Sequence, residues 1–155
     1  MGTDVRMSCE VRKNGKWERV RTKSFINFGK KSSTPYCYRN YELFAILAGV
    51  RNDYIHHFES IDEFRGLPED VTSSTKRRLF HIGCGYGDSY YTLTELIDFN
   101  WGQVFSYYNA DNELVYTTYA NIVGEFYSVT MPIMKTLVPS GGTTDDVRII
   151  FNFDC

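Results

Sequence analysis

Asn14-Gly15 sits between two short alternating segments, Cys9-Glu-Val-Arg12 and Trp17-Glu-Arg-Val20. The tight two-residue turn between antiparallel strands needs φ > 0 at both central positions, and Asn-Gly accepts this readily, so residues 8–22 are expected to form a β-hairpin. In its first strand Cys9 and Val11 share one face, and Glu10 and Arg12 the other. Val147-Arg-Ile-Ile-Phe-Asn-Phe153 is rich in β-branched and aromatic residues and is expected to join the hairpin in one antiparallel sheet built from both ends of the chain.

Between these ends the pattern is mostly helical. Leu43, Phe44, Leu47 and Val50 form one apolar stripe, Ala45, Ala48 and Gly49 a second small face, and Asn40 is a good N-cap, so a helix is expected over residues 40–51. Residues 70–78 read as a short polar helix capped by Asp70 or Thr72. Thr92-Leu-Thr-Glu95 matches a capping box that opens a helix through Leu96, Ile97 and Phe99. Residues 116–137 also read as helical, with Pro132 breaking or kinking the helix near Thr130. A short helical turn is expected around Ile61 to Phe64. Residues 27–35, with Lys30 and Lys31, and the stretch Gly83-Cys-Gly-Tyr-Gly87 are expected as loops. The fold class is therefore α+β: a small antiparallel sheet, N-terminal hairpin plus C-terminal strand, with the central helices packed on it in one domain over residues 1–155.

Composition narrows the function. Hydrophobic residues at 43% against 23% charged exclude global disorder. No apolar run approaches the ~18–20 residues of a membrane span. Met1 to Ser8 lacks an apolar stretch, so no secretory signal peptide is expected. A formal charge of −2 gives no global pull toward nucleic acid, and no nucleic acid polymer is expected as a partner. Cys9, Cys37, Cys84 and Cys155 form no C-x-x-C pair, which argues against structural zinc, and the expected reducing compartment argues against disulfides. His56 and His57 are adjacent and point apart, so no metal is expected. The Gly83–Gly87 stretch lacks the Lys-Ser/Thr ending of a phosphate loop, and Ser89 lacks a nucleophile-elbow frame. No catalytic set and no cofactor are expected.

Arginines coincide with aromatics at loop–helix junctions: Tyr36-Cys-Tyr-Arg-Asn-Tyr41, Arg51-Asn-Asp-Tyr54, and Tyr86-Gly-Asp-Ser-Tyr-Tyr91. Aromatic faces suit a nucleobase and arginine forks suit phosphate. This nominates Arg39 and Arg51 for phosphate, Tyr41, Tyr90 and Tyr91 for stacking, and Asn40, Asp88 and Ser89 for polar orientation. Arg39 and Arg51 stand at opposite ends of one helix ~18 Å long, so they suit an extended ligand or a site shared across subunits. The competing reading is that a chain in which 16% of residues are aromatic uses them in its core and interfaces.

Arg39-Asn-Tyr-Glu-Leu-Phe-Ala-Ile-Leu-Ala-Gly-Val-Arg-Asn52, Arg65-Gly-Leu-Pro-Glu-Asp-Val71, Asp88-Ser-Tyr-Tyr-Thr-Leu-Thr-Glu-Leu96 and Val147-Arg-Ile-Ile-Phe-Asn-Phe-Asp154, in that order, resemble a family of small proteins encoded by tailed bacteriophages. The resemblance covers most of the chain from Arg39 onward. Family members usually carry a His just before the Ser-x-x-Thr-Leu-x-Glu-Leu helix, where this chain has Gly-Tyr-Gly-Asp-Ser and His81 is the nearest histidine. The resemblance implies a phage origin and the cytoplasm of the infected bacterial host. Small phage accessory proteins often counter host defence, one route being to sequester a nucleotide second messenger. The expected function is therefore binding and sequestration of a nucleotide-derived immune signal, without chemistry, by a homo-oligomer. The alternatives are a phosphodiesterase using His81 with His56 or His57, and an inhibitor that binds a host defence protein directly.

Overall fold

The computed structural model describes residues 2–52, 57–81 and 83–154. Strand β1 (Val5–Lys13) runs to the expected turn, where Asn14 and Gly15 have φ of 53° and 76°, and returns as β2 (Lys16–Arg19). The C-terminal strand β8 (Val147–Asp154) pairs antiparallel with β1 from Val5↔Phe153 to Val11↔Val147. Strand β5 (Gly85–Thr92) pairs with the other side of β8, giving the order β2-β1-β8-β5. Both ends of the chain thus lie side by side at the centre of an antiparallel sheet, with helices packed on it, in an α+β fold.

The period of two assigns each face. Met7, Cys9, Val11, Ile149, Phe151 and Phe153 face the main core. Helix α1 (Tyr41–Ala48) lies against them, with Leu43, Phe44, Ala45, Ile46, Leu47 and Ala48 all buried. Complete burial of Leu43, Phe44, Ile46 and Leu47 contributes about 1.5–3 kcal/mol each relative to exposure. Asn40 caps α1 by accepting from the Leu43 N–H at 3.1 Å. Gly49 closes it in the left-handed region (φ 73°), its N–H donating to the Ala45 carbonyl at 2.7 Å. The helix therefore stops before Arg51.

Helix α2 (Ser73–Phe80) covers the opposite face of the sheet, where β1 and β8 present Glu10 and Arg148. Thr72, the second of the two expected caps, accepts from the Thr75 N–H at 3.1 Å. Glu10 and Arg148 are 0% and 4% exposed and form a buried pair: Arg148 Nε and Nη2 donate to Glu10 Oε1 at 2.9 and 2.7 Å. Glu10 Oε2 accepts from the Thr72 N–H at 3.0 Å and the Thr75 hydroxyl at 2.7 Å, which ties the first turn of α2 to the sheet. Arg148 also donates to Asp70 Oδ1 at 2.8 Å and stacks on Trp17 with its guanidinium carbon 3.8 Å from the ring centroid.

Thr92 and Glu95 form the expected capping box at the start of α3 (Leu93–Asp98). Other segments differ from expectation. Residues 27–35 contain part of a hairpin, β3 (Phe25–Asn27) and β4 (Lys30–Ser32), because Phe25 and Asn27 bury on one side and anchor the turn. The glycine-rich stretch enters β5 at Gly85, with a register shift between Tyr86 and Ser89. Gly87, within that shift, has φ of 71°, and a Cβ there would meet the Phe64 ring at 2.4 Å. Residues 104–118 form a second hairpin, β6 (Val104–Tyr108) and β7 (Leu114–Thr118), so the helical segment begins only at α4 (Tyr119–Ile122). A π-helical turn at Phe126–Thr130 precedes α5 (Met131–Thr136). Pro132 therefore stands in the first turn of a new helix, where its missing N–H costs little.

Several carboxylates are held below their ordinary range: Asp4 by hydrogen bonds from Arg39, Asp70 by hydrogen bonds from Arg148, and Glu95, where burial pushes upward but the bonds from Arg65 and Thr92 outweigh it. A depressed folded value means the unfolded chain binds more protons in acid. This stability is fully present above the ordinary carboxylate range and is lost as pH falls through it toward the folded values. The urea midpoint is expected to fall steadily between about pH 5 and about pH 3 and to vary less between about pH 5 and about pH 7.

Candidate functional site: a basic cleft between strand β2 and helix α2

The residues nominated from sequence are held mainly by internal contacts. Arg39 forms a two-pronged pair with Asp4, Nε and Nη2 donating at 2.8 and 2.9 Å. Arg51 donates to the Thr3 hydroxyl at 3.0 Å and lies over the Tyr41 ring at 5.0 Å. The Tyr41 hydroxyl accepts from the Thr3 N–H at 3.2 Å. The N-terminal residues 2–4 therefore bring Arg39, Tyr41 and Arg51 together, and their contacts there are with the chain itself. Asn40 serves as the cap of α1 and donates to the Ile122 carbonyl at 3.2 Å.

The second nominated group lies on β5. The Tyr91 ring is 0% exposed and its hydroxyl donates to the Leu47 carbonyl, so it offers no face to a ligand; burial also pushes that hydroxyl's pKa upward. The Ser89 hydroxyl is buried and accepts from the Arg65 N–H at 3.2 Å. Asp88 accepts from Asn152 at 3.1 Å, and its carbonyl accepts from the Gly66 N–H at 2.8 Å. Tyr90 is half-buried, with its carbonyl accepting from Arg65 Nη1 at 3.1 Å. Arg65 also pairs with Glu95 and Asp62 and lies over the Tyr91 ring at 4.6 Å, so its charge is internally matched.

A depression of about 380 Å³ does border Arg39 and Asn40, with Tyr36 and Tyr38. Glu42 and Glu125 stand on its wall while Arg39 is matched by Asp4, so it disfavours a phosphate. A larger cleft of about 720 Å³ lies between residues 12–15 and 136–142, and its Arg12 is paired with Asp146 at 2.8 Å. Arg39→Ala is expected to leave phosphate-ligand affinity unchanged and to lower the melting temperature only slightly, because the Arg39–Asp4 pair is exposed on both sides and contributes about 1 kcal/mol or less. Parallel titration calorimetry and thermal melts of variant and parent check this.

The unmatched positive charge collects elsewhere. Arg19, Arg21, Ser74, Arg77, Arg78 and His81 line a cleft of about 240 Å³. Among the described residues no carboxylate lies within ion-pair distance of any of these four arginines. Ser74 Oγ accepts from Arg19 Nε at 2.7 Å and from Arg21 Nη2 at 3.3 Å. Its lone pairs are thus used and its hydroxyl proton is available to donate. Arg78 donates to the Thr34 hydroxyl at 3.1 Å, and His81 Nδ1 meets the Arg78 carbonyl at 2.9 Å. Partial burial and then the like charges of Arg78, Arg21 and Arg77 pull the Arg19 guanidinium below its ordinary value. The negative end of the α2 dipole compensates Arg77 and Arg78 in part.

Neither segment carries a recognisable motif, since Arg19 and Ser74 are 55 residues apart. One signal was visible. Eleven of the seventeen lysines and arginines fall in residues 12–31 and 73–81, where Glu18 is the sole acid; the other eighteen acids lie elsewhere with six cations. A net charge of −2 conceals this segregation.

His57 is exposed, and His56 lies outside the described residues. Cys9 is buried and free, with its thiol pushed upward by burial and then by Glu10. Cys84, expected as a free thiol, is instead disulfide-bonded. No grouping of three or more metal-ligating side chains occurs among the described residues, and none of their helices is long and apolar enough to cross a membrane. No family model, curated protein or solved structure matches this chain.

Proposed function

We propose that this chain is a binding module that captures a small phosphorylated molecule, of nucleotide type, in the cleft between β2 and α2 and holds it without chemistry. The observation that carries this reading is the convergence of four guanidinium groups, with no carboxylate partner among the described residues, around one open depression. Guanidinium forks match phosphate oxygens, and an oriented hydroxyl at Ser74 adds a neutral donor. On the resemblance to small tailed-phage proteins, the setting is the cytoplasm of an infected bacterium and the ligand a nucleotide-derived signal of host defence. Native mass spectrometry of protein purified from bacteria, followed by heat release, tests this. An intact phosphorylated compound in the supernatant, lost in an Arg77→Gln/Arg78→Gln variant, is the expected result. Failure of a nucleotide panel to bind the parent protein would sink the reading.

His81 in the same cleft favours one second reading, hydrolysis of a phosphate ester with this imidazole as acid or base. Chromatography after incubation separates the two, because hydrolysis produces a new peak.

We also propose that the module works as a homo-oligomer. The outward face of the β6–β7 hairpin carries Val104, Tyr108, Leu114 and Tyr116, the two tyrosines each 67% exposed. Exposed apolar faces of this kind are association surfaces. A Tyr108→Ser/Tyr116→Ser variant is expected to elute as a smaller species, with its mass checked by light scattering. Unchanged mass would remove this face from the assembly.

A further inference from the structure

We propose, resting on the phosphate-binding reading above, that the ligand of the β2–α2 cleft carries two or more linked phosphate groups rather than one. The first reason is charge. A single phosphate monoester brings about −1.5 to −2 at neutral pH, which leaves about two of the four unpaired guanidiniums without a counter-charge. These arginines line one cleft and repel one another, so incomplete neutralisation leaves part of that repulsion in the complex.

The second reason is geometry. The cations stand on two separate walls. Arg19 and Arg21 flank Val20 and both donate to Ser74 Oγ, so they and the free Ser74 proton make one subsite. Arg77 and Arg78 are consecutive on the last turn of α2, where successive side chains diverge by about 100° around the helix axis. Their side chains therefore leave the helix in different directions. With His81 beside them they make a second subsite one helical turn past Ser74, about 5 Å along the α2 axis. A diphosphate or triphosphate chain, or two phosphates joined through a nucleoside, reaches both walls at once; a lone phosphate engages one.

Calorimetric titration with inorganic phosphate, pyrophosphate, tripolyphosphate and a 20-nucleotide oligonucleotide, at fixed ionic strength, tests this. Pyrophosphate is expected to bind at least about tenfold tighter than phosphate, with tripolyphosphate equal or tighter, since each added charge-assisted contact is worth a factor of about ten or more. Arg21→Gln and Arg77→Gln, one on each wall, are each expected to erase that advantage while leaving the weak phosphate binding at the other wall. Equal affinity for phosphate and pyrophosphate overturns this inference and leaves the phosphate-binding reading standing. Absence of binding by every phosphate probe overturns both. Tighter binding of the oligonucleotide than of tripolyphosphate assigns the basic face to a nucleic acid backbone and also overturns the inference.

Discussion

Replacing Arg77 and Arg78 together by glutamine is expected to weaken pyrophosphate binding by about a hundredfold or more and to leave the unliganded protein at least as stable as the parent. The binding loss follows from removing one wall of the cleft. Hydrogen bonds to charged groups contribute about 1.5–3 kcal/mol each, so two lost arginine contacts reduce affinity by about a hundredfold or more. The stability result follows from the opposite logic. Arg19, Arg21, Arg77 and Arg78 are like charges without carboxylate partners among the described residues, and deleting two of them relieves repulsion on the other two. Against this stand the α2 dipole and the Arg78–Thr34 hydrogen bond, both at the exposed end of the helix and both small. Residues that serve structure lower stability when removed, whereas residues kept for a ligand do not. Thermal melts without ligand, beside titrations with pyrophosphate, read both halves. A fall of several degrees in the free variant would identify these arginines as structural and contradict the account.

Glu10→Ala is expected to produce the largest loss of stability of any single change considered, about 3–5 kcal/mol, because it strands the Arg148 guanidinium, 4% exposed, without its buried counter-charge. It also removes the acceptor of the Thr72 N–H and the Thr75 hydroxyl, which dock α2 on the sheet. The same helix carries Arg77 and Arg78 into the cleft, so the mutation acts on the site as well as on the fold. A urea titration of the single variant checks the magnitude. Replacing both partners, Glu10→Gln with Arg148→Met, is expected to recover much of the loss, since no buried charge is then left unmatched. A single variant as stable as the parent would mean that Asp70 alone satisfies Arg148.

The two ends of the sheet were legible from residues alone. Asn14-Gly15 has one comfortable conformation between alternating strands, and Val147–Phe153 has little helical alternative. The Thr92–Glu95 capping box was equally plain, because both of its bonds are local. Strand β5 was hidden by Gly83, Gly85 and Gly87, whose flexibility reads as a loop until β8 supplies a partner. The β6–β7 hairpin was hidden because Tyr116, Tyr119 and Val123 happen to satisfy helical spacing across a strand–helix boundary. Hydrophobic period is weak wherever a tertiary partner decides the outcome.

The site was less legible for a related reason. Sequence shows which cations exist but not which acids reach them. Arg39 looked available beside aromatics, yet Asp4, 35 residues from it in sequence, engages it in the fold. Tyr91 looked exposed beside a glycine-rich loop, yet it supports α1 from within the core. Arg19, Arg21, Arg77 and Arg78 became conspicuous only once pairing had accounted for the carboxylates nearby.

The most direct test follows arginine Nε–H resonances by NMR while pyrophosphate is titrated into the folded protein. Saturable shifts are expected at Arg19, Arg21, Arg77 and Arg78, with Arg39, Arg51 and Arg65 unmoved. Shifts confined to Arg39 and Arg51, or no shifts at any concentration that retains the fold, would contradict the proposed site.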